Sequence, residues 1–182
     1  MRDRAKVFIN NLLHDGPVRF LEVGIHEAST AVRVIESIFA RPGSMYFGVD
    51  IWDWGGTPIP EAKKVAVDRL SKLGVLEWPN PGPKGFWMDG DIVSLVRSDA
   101  IPQGSLDVIY IDSSHKPDRT LLESVLCYEL LAPGGFLLWD DYDARNPVMQ
   151  EVRQAVDPFL SIYSNRMEVI DAEYQLLARK VR

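Results

Sequence analysis

Five short apolar runs alternate along this chain with stretches in which apolar residues return every three or four positions. The runs VRFLEVGI, MYFGVDIW, GFWMDGDI, LDVIYID and GFLLWDD are rich in β-branched and aromatic residues and predict buried strands. Between them, HEASTAVRVIESIFA puts Val32, Ile35 and Phe39 on one helical face, and PEAKKVAVDRLSKLG carries Pro60 near its first turn. PDRTLLESVLCYELL predicts a third helix, and the APGG turn after it delivers the fifth strand. An entry helix is predicted from Val7, Phe8, Leu12 and Leu13, ended by Gly16-Pro17. The irregular WPNPGPKG stretch precedes the third strand, which ends near Asp89 to Asp91. Beyond Pro147, VMQEVRQAVDPFL predicts a last helix, with MEVIDAE and YQLLARKV as a closing hairpin. Repeated strand and helix in alternation predict an α/β fold. Its sheet is doubly wound, mostly parallel and seven-stranded, with helices on both faces and a C-terminal antiparallel hairpin. A chain of 182 residues with 46% hydrophobic content fits one domain spanning 1–182.

The acids in this pattern fall where the apolar runs stop. LDVIYID ends at Asp112 and GFLLWDD at Asp140 and Asp141. In an open α/β sheet, ligands bind beyond the carboxyl ends of parallel strands, so these three face a common crevice. Neighbouring strands lie about 4.8 Å apart, close enough for such carboxylates to converge on one cation. Oxygen ligands suit Mg²⁺, Mn²⁺ or Ca²⁺, and the scarcity of His and Cys argues against a dedicated zinc cage. Three residues after Asp112 stands His115, with an imidazole that titrates near neutrality and suits proton transfer, while Lys116 is the rival base. The opposing reading has one acid capping a helix and another in solvent.

A second candidate site surrounds the first strand end, Glu22-Val23-Gly24-Ile25-His26-Glu27-Ala28-Ser29. Gly24 lets a backbone approach a ligand, and the helix that follows can donate amide hydrogen bonds. About 20 residues further on, where Rossmann-like folds place an acid on ribose hydroxyls, Asp50 ends the second strand, with Ile51 after it and Asp53 as competitor. No full G-x-G-x-x-G occurs, which counts against a dinucleotide.

Composition narrows the partners. A net charge of -6 offers no general basic surface for nucleic acid. The single cysteine, Cys127, excludes an intramolecular disulfide and reads as a helical core thiol. The N-terminus lacks a signal-type apolar region and no run approaches the roughly 20 apolar residues of a membrane span, so a soluble, cytoplasmic protein is expected.

Taken in order, EVG, VD, GD, IDSSH, LLAPGG and WDDY resemble the class I S-adenosylmethionine-dependent methyltransferases, and among these the small metal-dependent O-methyltransferases, over nearly the full length. The resemblance implies a Rossmann-like fold and methyl transfer to an oxygen of a small-molecule acceptor such as a sugar or phenol. By the same resemblance Glu22 and Gly24 border the methionine part of S-adenosylmethionine, and Ile25, His26 and Ser29 are further cofactor-binding residues. Asp50 holds the ribose, Asp91 lies near the adenine, and Ile51 and Asp112 complete the cofactor-binding set. Asp112, Asp140 and Asp141 match the metal carboxylates, with Mg²⁺ the expected ion. Two departures stand out: Ala28 and Ser29 occupy places where relatives carry glycines, and no insertion forms a substrate lid. The loop from Ile51 to Pro58, with Trp52, Trp54, Gly55 and Gly56, is the substitute cover, although Trp52 also suits a place under the sheet. Trp139 reads as core. A second copy of the chain is a candidate contributor to the acceptor pocket, which makes a homo-oligomer an open possibility. Rival readings are a nicotinamide-dependent reductase, a hydrolase (for which no G-x-S-x-G elbow occurs) and a non-catalytic binding module of the same fold.

Overall fold

The computed structural model describes residues 16–143 and 151–181. The expected entry helix and His14 lie outside the described residues, as does the start of the last helix. The chain divides into two compact units, 1–89 and 90–182.

In the first unit, β1 (Arg19–Val23), β2 (Met45–Asp50), β5 (Leu76–Glu77) and β6 (Gly85–Asp89) run parallel in the spatial order β5-β6-β2-β1. Helix α1 (Ser29–Ile38) connects β1 to β2, and α2 (Pro60–Lys72) precedes β5. The buried face of α1 is Ala31, Val34, Ile35 and Ile38. Of the face expected from the sequence, only Ile35 is fully buried; Val32 and Phe39 lie half-buried at its margins. Helix α2 starts at Pro60 with Glu61 in its first turn and ends with Arg69 and Lys72, charges that complement the helix dipole. The glycine loop after β2 folds into a miniature hairpin, β3 (Asp53–Trp54) with β4 (Thr57–Pro58).

In the second unit the order is β7 (Leu106–Ile111), β8 (Leu131–Trp139), β10 (Leu176–Lys180), β9 (Met167–Ala172). β7 and β8 are parallel, whereas β10 runs antiparallel to both β8 and β9, so the closing hairpin is as expected. The mostly parallel α/β fold is thus borne out; among the described residues, the strands not expected are the two-residue β5 and the β3-β4 pair. A six-residue helix, α3 (Ile92–Arg97), is too short to leave a periodic trace in the sequence. Helices α4 (Pro117–Leu130) and α5 (Glu151–Ile162) complete the unit. The APGG segment does not precede β8 as a turn but lies within it. The β7–β8 pairing jumps from Leu106 and Leu131 to Val108 and Phe136, leaving those residues as a bulge. A side chain on Gly135 would meet the carbonyl oxygens of Leu106 and Ala132 at 3.0 and 2.9 Å, so the bulge needs glycine there. Trp139 and Cys127 are fully buried, as expected, and burial pushes the Cys127 thiol up. No helix among the described residues is long and apolar enough to cross a membrane.

Candidate functional site

The turn after β1 is built around a carboxylate. Gly24, in the left-handed region at φ 95°, donates its N–H to the Val49 carbonyl at 2.9 Å. The next two amides, of Ile25 and His26, both donate to Asp50 Oδ2 at 2.7 Å, and Asp50 Oδ1 accepts the Trp52 N–H at 2.6 Å. The expected ribose ligand is therefore also the strut that shapes the turn. Asp53, its competitor, accepts the Gly56 N–H at 2.5 Å and closes the miniature hairpin. Trp52 is buried, packs edge-on against Trp87 at 5.5 Å, and donates Nε1–H to the His26 carbonyl at 2.8 Å. It is a prop under the turn and not a cover, whereas Trp54 is exposed. Ile25 is buried; Ile51 and the His26 residue face solvent. Glu22 is buried too, its Oε2 accepting from the Tyr46 hydroxyl at 2.5 Å. Burial and then the Glu22 charge hold the Tyr46 phenol well above its usual range. Helix α1 begins at Ser29 with no side-chain cap, its N-cap residue being Ala28, and Arg69 donates to the Ser29 hydroxyl at 3.1 Å. Lys63 of α2 pairs with Asp89 and lies over the rings of Trp52 and Trp87 at 5.4 and 5.8 Å.

The second unit holds the acid cluster. Asp112, His115 and Asp141 each offer a ligand atom, and these atoms lie within 4.8 Å of one another. His115 Nε2 is buried 3.0 Å from Asp141 Oδ2, close enough for an ion pair though not aligned for a hydrogen bond. That proximity raises the His115 pKa against the opposing effect of burial, and it holds Asp141 below the ordinary carboxylate range. Burial, followed by the Asp140 charge, lifts Asp112 to about 7, although the Tyr110 hydroxyl donates to its Oδ2 at 3.0 Å. Asp140 is also raised, first by burial. The turn between β9 and β10 reaches this acid pair: Gln175 Nε2 donates to Asp140 Oδ1 at 2.6 Å and the Tyr174 hydroxyl donates to Asp141 Oδ1. Asp112, His115 and Asp141 form the close-set group, and Asp140, the third expected carboxylate, has its Oδ1 accepting from Gln175.

The loop carrying Asp112 and His115 is pinned by α4. Ser113 donates to Glu123 Oε2 at 2.7 Å, Thr120 donates to the Ser114 carbonyl at 2.7 Å, and Lys116 N–H donates to Ser114 Oγ at 3.2 Å. Burial lifts Glu123 to about 7. Lys116 itself is exposed at the N-cap of α4, outside the cluster. A small cavity is lined by Ile111, Asp112, His115, Trp139, Asp140 and Val152, among others. Asp91 caps α3, accepting the Ser94 N–H and Oγ–H at 2.9 and 2.8 Å; these bonds outweigh burial and lower its pKa. Arg69, Glu123, Tyr174 and Gln175 have no local signature in the sequence, since each acts on a residue 10 to 42 positions away.

Residues 84–142, which run from β6 through the acid cluster, match the family described as Methyltransferase domain. Over those residues the chain is similar to a methyltransferase domain. Its fold is shared by solved methyltransferases at low identity. An O-methyltransferase from Bacillus cereus in complex with SAH superposes with a TM-score of 0.67 at 11% identity, over 99% of this chain and 81% of that one. The O-methyltransferase TomG from Streptomyces achromogenes, involved in tomaymycin synthesis and solved with SAM, gives 0.64 at 15% identity over 100% and 81%. A candidate rRNA methylase from Clostridium thermocellum gives 0.69 at 13% over 97% and 95%. No curated protein matches the sequence. The methyltransferase fold read from the order of strand-end motifs is therefore borne out.

Proposed function

We propose that this chain transfers a methyl group from S-adenosylmethionine to an oxygen of a small hydroxylated molecule, assisted by a divalent cation at Asp112, His115 and Asp141. The observation that carries the reading is the convergence of those three side chains in a chain of methyltransferase fold. Two carboxylates and an imidazole fit a divalent cation, and the imidazole widens the choice from Mg²⁺ toward Mn²⁺. Asp112, lifted to about 7 by burial and by Asp140, is a carboxylate whose charge lacks compensation, and a cation supplies it. When bound, the cation supplies Lewis acidity that lowers the pKa of an acceptor hydroxyl. The chain's own residues do the rest: Tyr110 and Tyr174 orient Asp112 and Asp141, and Ile111, Trp139 and Val152 give the cavity apolar walls that limit water. His115 has a second reading as the base that takes the acceptor proton, with Asp141, which raises its pKa, holding the imidazolium so formed.

The β1 turn supports the choice of cofactor. Its Ile25 and His26 amides form an anion-binding concavity, and Asp50 already fills it. A dinucleotide pyrophosphate placed there would face that negative charge, whereas a sulfonium and ammonium cofactor would not. The free amides at the start of α1 suit the methionine carboxylate. The net charge of -6 favours a small acceptor over RNA.

Calorimetric titration of S-adenosylmethionine and S-adenosylhomocysteine, with Mn²⁺ or Mg²⁺ and again with EDTA, tests the reading. Both cofactors bind, and Asp112→Asn abolishes cation uptake. A labelled-methyl screen then finds label in a hydroxylated small molecule. Absence of cofactor binding under every condition overturns the proposal, and label appearing in RNA instead moves the substrate class. His115→Gln separates its two roles, since a ligand's loss removes Mn²⁺ binding and a base's loss leaves it.

A further inference from the structure

We infer that Arg69 is a positioning residue for the cofactor, holding the turn between β1 and α1 in its binding shape; this rests on the S-adenosylmethionine reading above. The turn carries ordinary L-residues where its backbone is left-handed: φ is 48° at His26 and 60° at Ala28. A side chain makes that conformation costly, so the turn does not hold its shape by local preference. Side chains from elsewhere in the first unit hold it. Asp50 takes the amides of Ile25 and His26, and Trp52 donates to the His26 carbonyl, which fixes the first half. The second half, Glu27 to Ser29, is gripped from α2. Arg69 Nη1 donates to the Glu27 carbonyl at 2.7 Å and to Ser29 Oγ at 3.1 Å, with the Glu27 carboxylate 3.8 Å away. These are the residues that join the turn to α1 and so decide where its first amides point. The guanidinium suits the task because the N–H groups of Nη1 are fixed in a rigid plane and reach both acceptors.

The test is Arg69→Met, read by S-adenosylhomocysteine affinity and by hydrogen exchange of the turn amides. Affinity falls about tenfold or more, as loss of a charge-assisted bond implies, while Mn²⁺ binding is unchanged and the amides of residues 26–29 exchange faster. Adding Ala28→Gly to Arg69→Met recovers most of the affinity, because glycine accepts a left-handed φ without a brace. Arg69→Lys recovers less. If Arg69→Met fails to fold, Arg69→Lys alone and combined with Ala28→Gly give the same comparison. An Arg69→Met protein with wild-type affinity and unchanged exchange overturns the inference, and so does an Ala28→Gly effect that merely adds to that of Arg69→Met. A wild-type protein that binds no S-adenosylhomocysteine defeats the functional reading and the cofactor role with it. In that case faster exchange in Arg69→Met still separates an existing brace from an absent cofactor.

Discussion

Tyr46 and Glu22 show how one missing side chain organises a strand end. Both are buried, and their hydrogen bond is what makes an acid tolerable at that depth. The space for it comes from Gly48: a Cβ there would lie 2.9 Å from the Tyr46 hydroxyl and 2.8 Å from Ile25 Cδ1. Ile25 is also the residue whose amide closes on Asp50, so crowding at Gly48 is felt in the turn. Gly48→Ala should therefore cost about 1–3 kcal/mol of stability by urea unfolding, the usual penalty for overpacking a core. A loss under about 0.5 kcal/mol would mean that both neighbours turn aside freely, and the strand end would then be looser than its geometry implies. The same economy marks Asp50. Its position after the second strand is legible in the sequence; its grip on three amides is not, because nothing local distinguishes an acid that holds ribose from one that also holds the preceding turn.

Helix α4 links the acid cluster to the closing hairpin, and Lys180 of β10 ends it. Lys180 is buried with Nζ donating to the carbonyls of Tyr128 and Leu131 at 2.8 Å, where a helix C-terminus carries partial negative charge. Its ammonium sits 4.0 Å from the Tyr128 ring centroid, and burial lowers its pKa. Lys180→Met keeps the apolar stem and removes the donor, so unfolding free energy should drop by about 1–3 kcal/mol, the cost of leaving buried carbonyls unpaired. A drop well below that in urea titration would mean that water reaches those carbonyls. Elements of this kind divide into those the sequence announces and those it hides. Long apolar runs ending in acid announced β7 and β8, and the order of those ends carried the fold. The same pattern brought Asp112, Asp140 and Asp141 into view. It could not assign His115 to their cluster, because a residue three positions along a loop has no fixed direction, nor show that Gln175 would engage Asp140 from 35 residues away. The APGG bulge was hidden for a related reason: proline and glycine mark a break in regular structure without saying whether the strand resumes on the same line.

At the scale of the whole molecule, the buried acids turn proton binding into stability. Asp112 and Glu123, lifted to about 7 chiefly by burial, keep protons in the folded chain that the unfolded chain releases near its ordinary values of 3.8 and 4.5. Folding then binds protons, so stability falls as pH rises through that window. His115 acts in the same sense. Its pKa is raised by Asp141 from 6.5, so its contribution is fully present below that value and is lost as pH rises through the folded one. Asp141 opposes them only in stronger acid: lowered from 3.8 by His115, it contributes stability above that value, lost as pH falls through its folded pKa. A cation-free chain should therefore be most stable in weak acid and lose on the order of a few kcal/mol toward about pH 8. A divalent cation that binds the deprotonated carboxylates reverses the trend, because its affinity grows as the protons leave. Thermal melts from about pH 4.5 to about pH 8, in EDTA and in Mn²⁺, decide it. The two curves should coincide in acid and separate progressively above about pH 6, with Asp112→Asn abolishing the separation and reducing the slope of the EDTA curve, of which Glu123 and His115 keep the remainder. An EDTA curve already flat in the wild-type chain would mean that solvent reaches these carboxylates. A separation that survives Asp112→Asn would place the cation elsewhere, and the proposed assistance to methyl transfer would lose its ligand set.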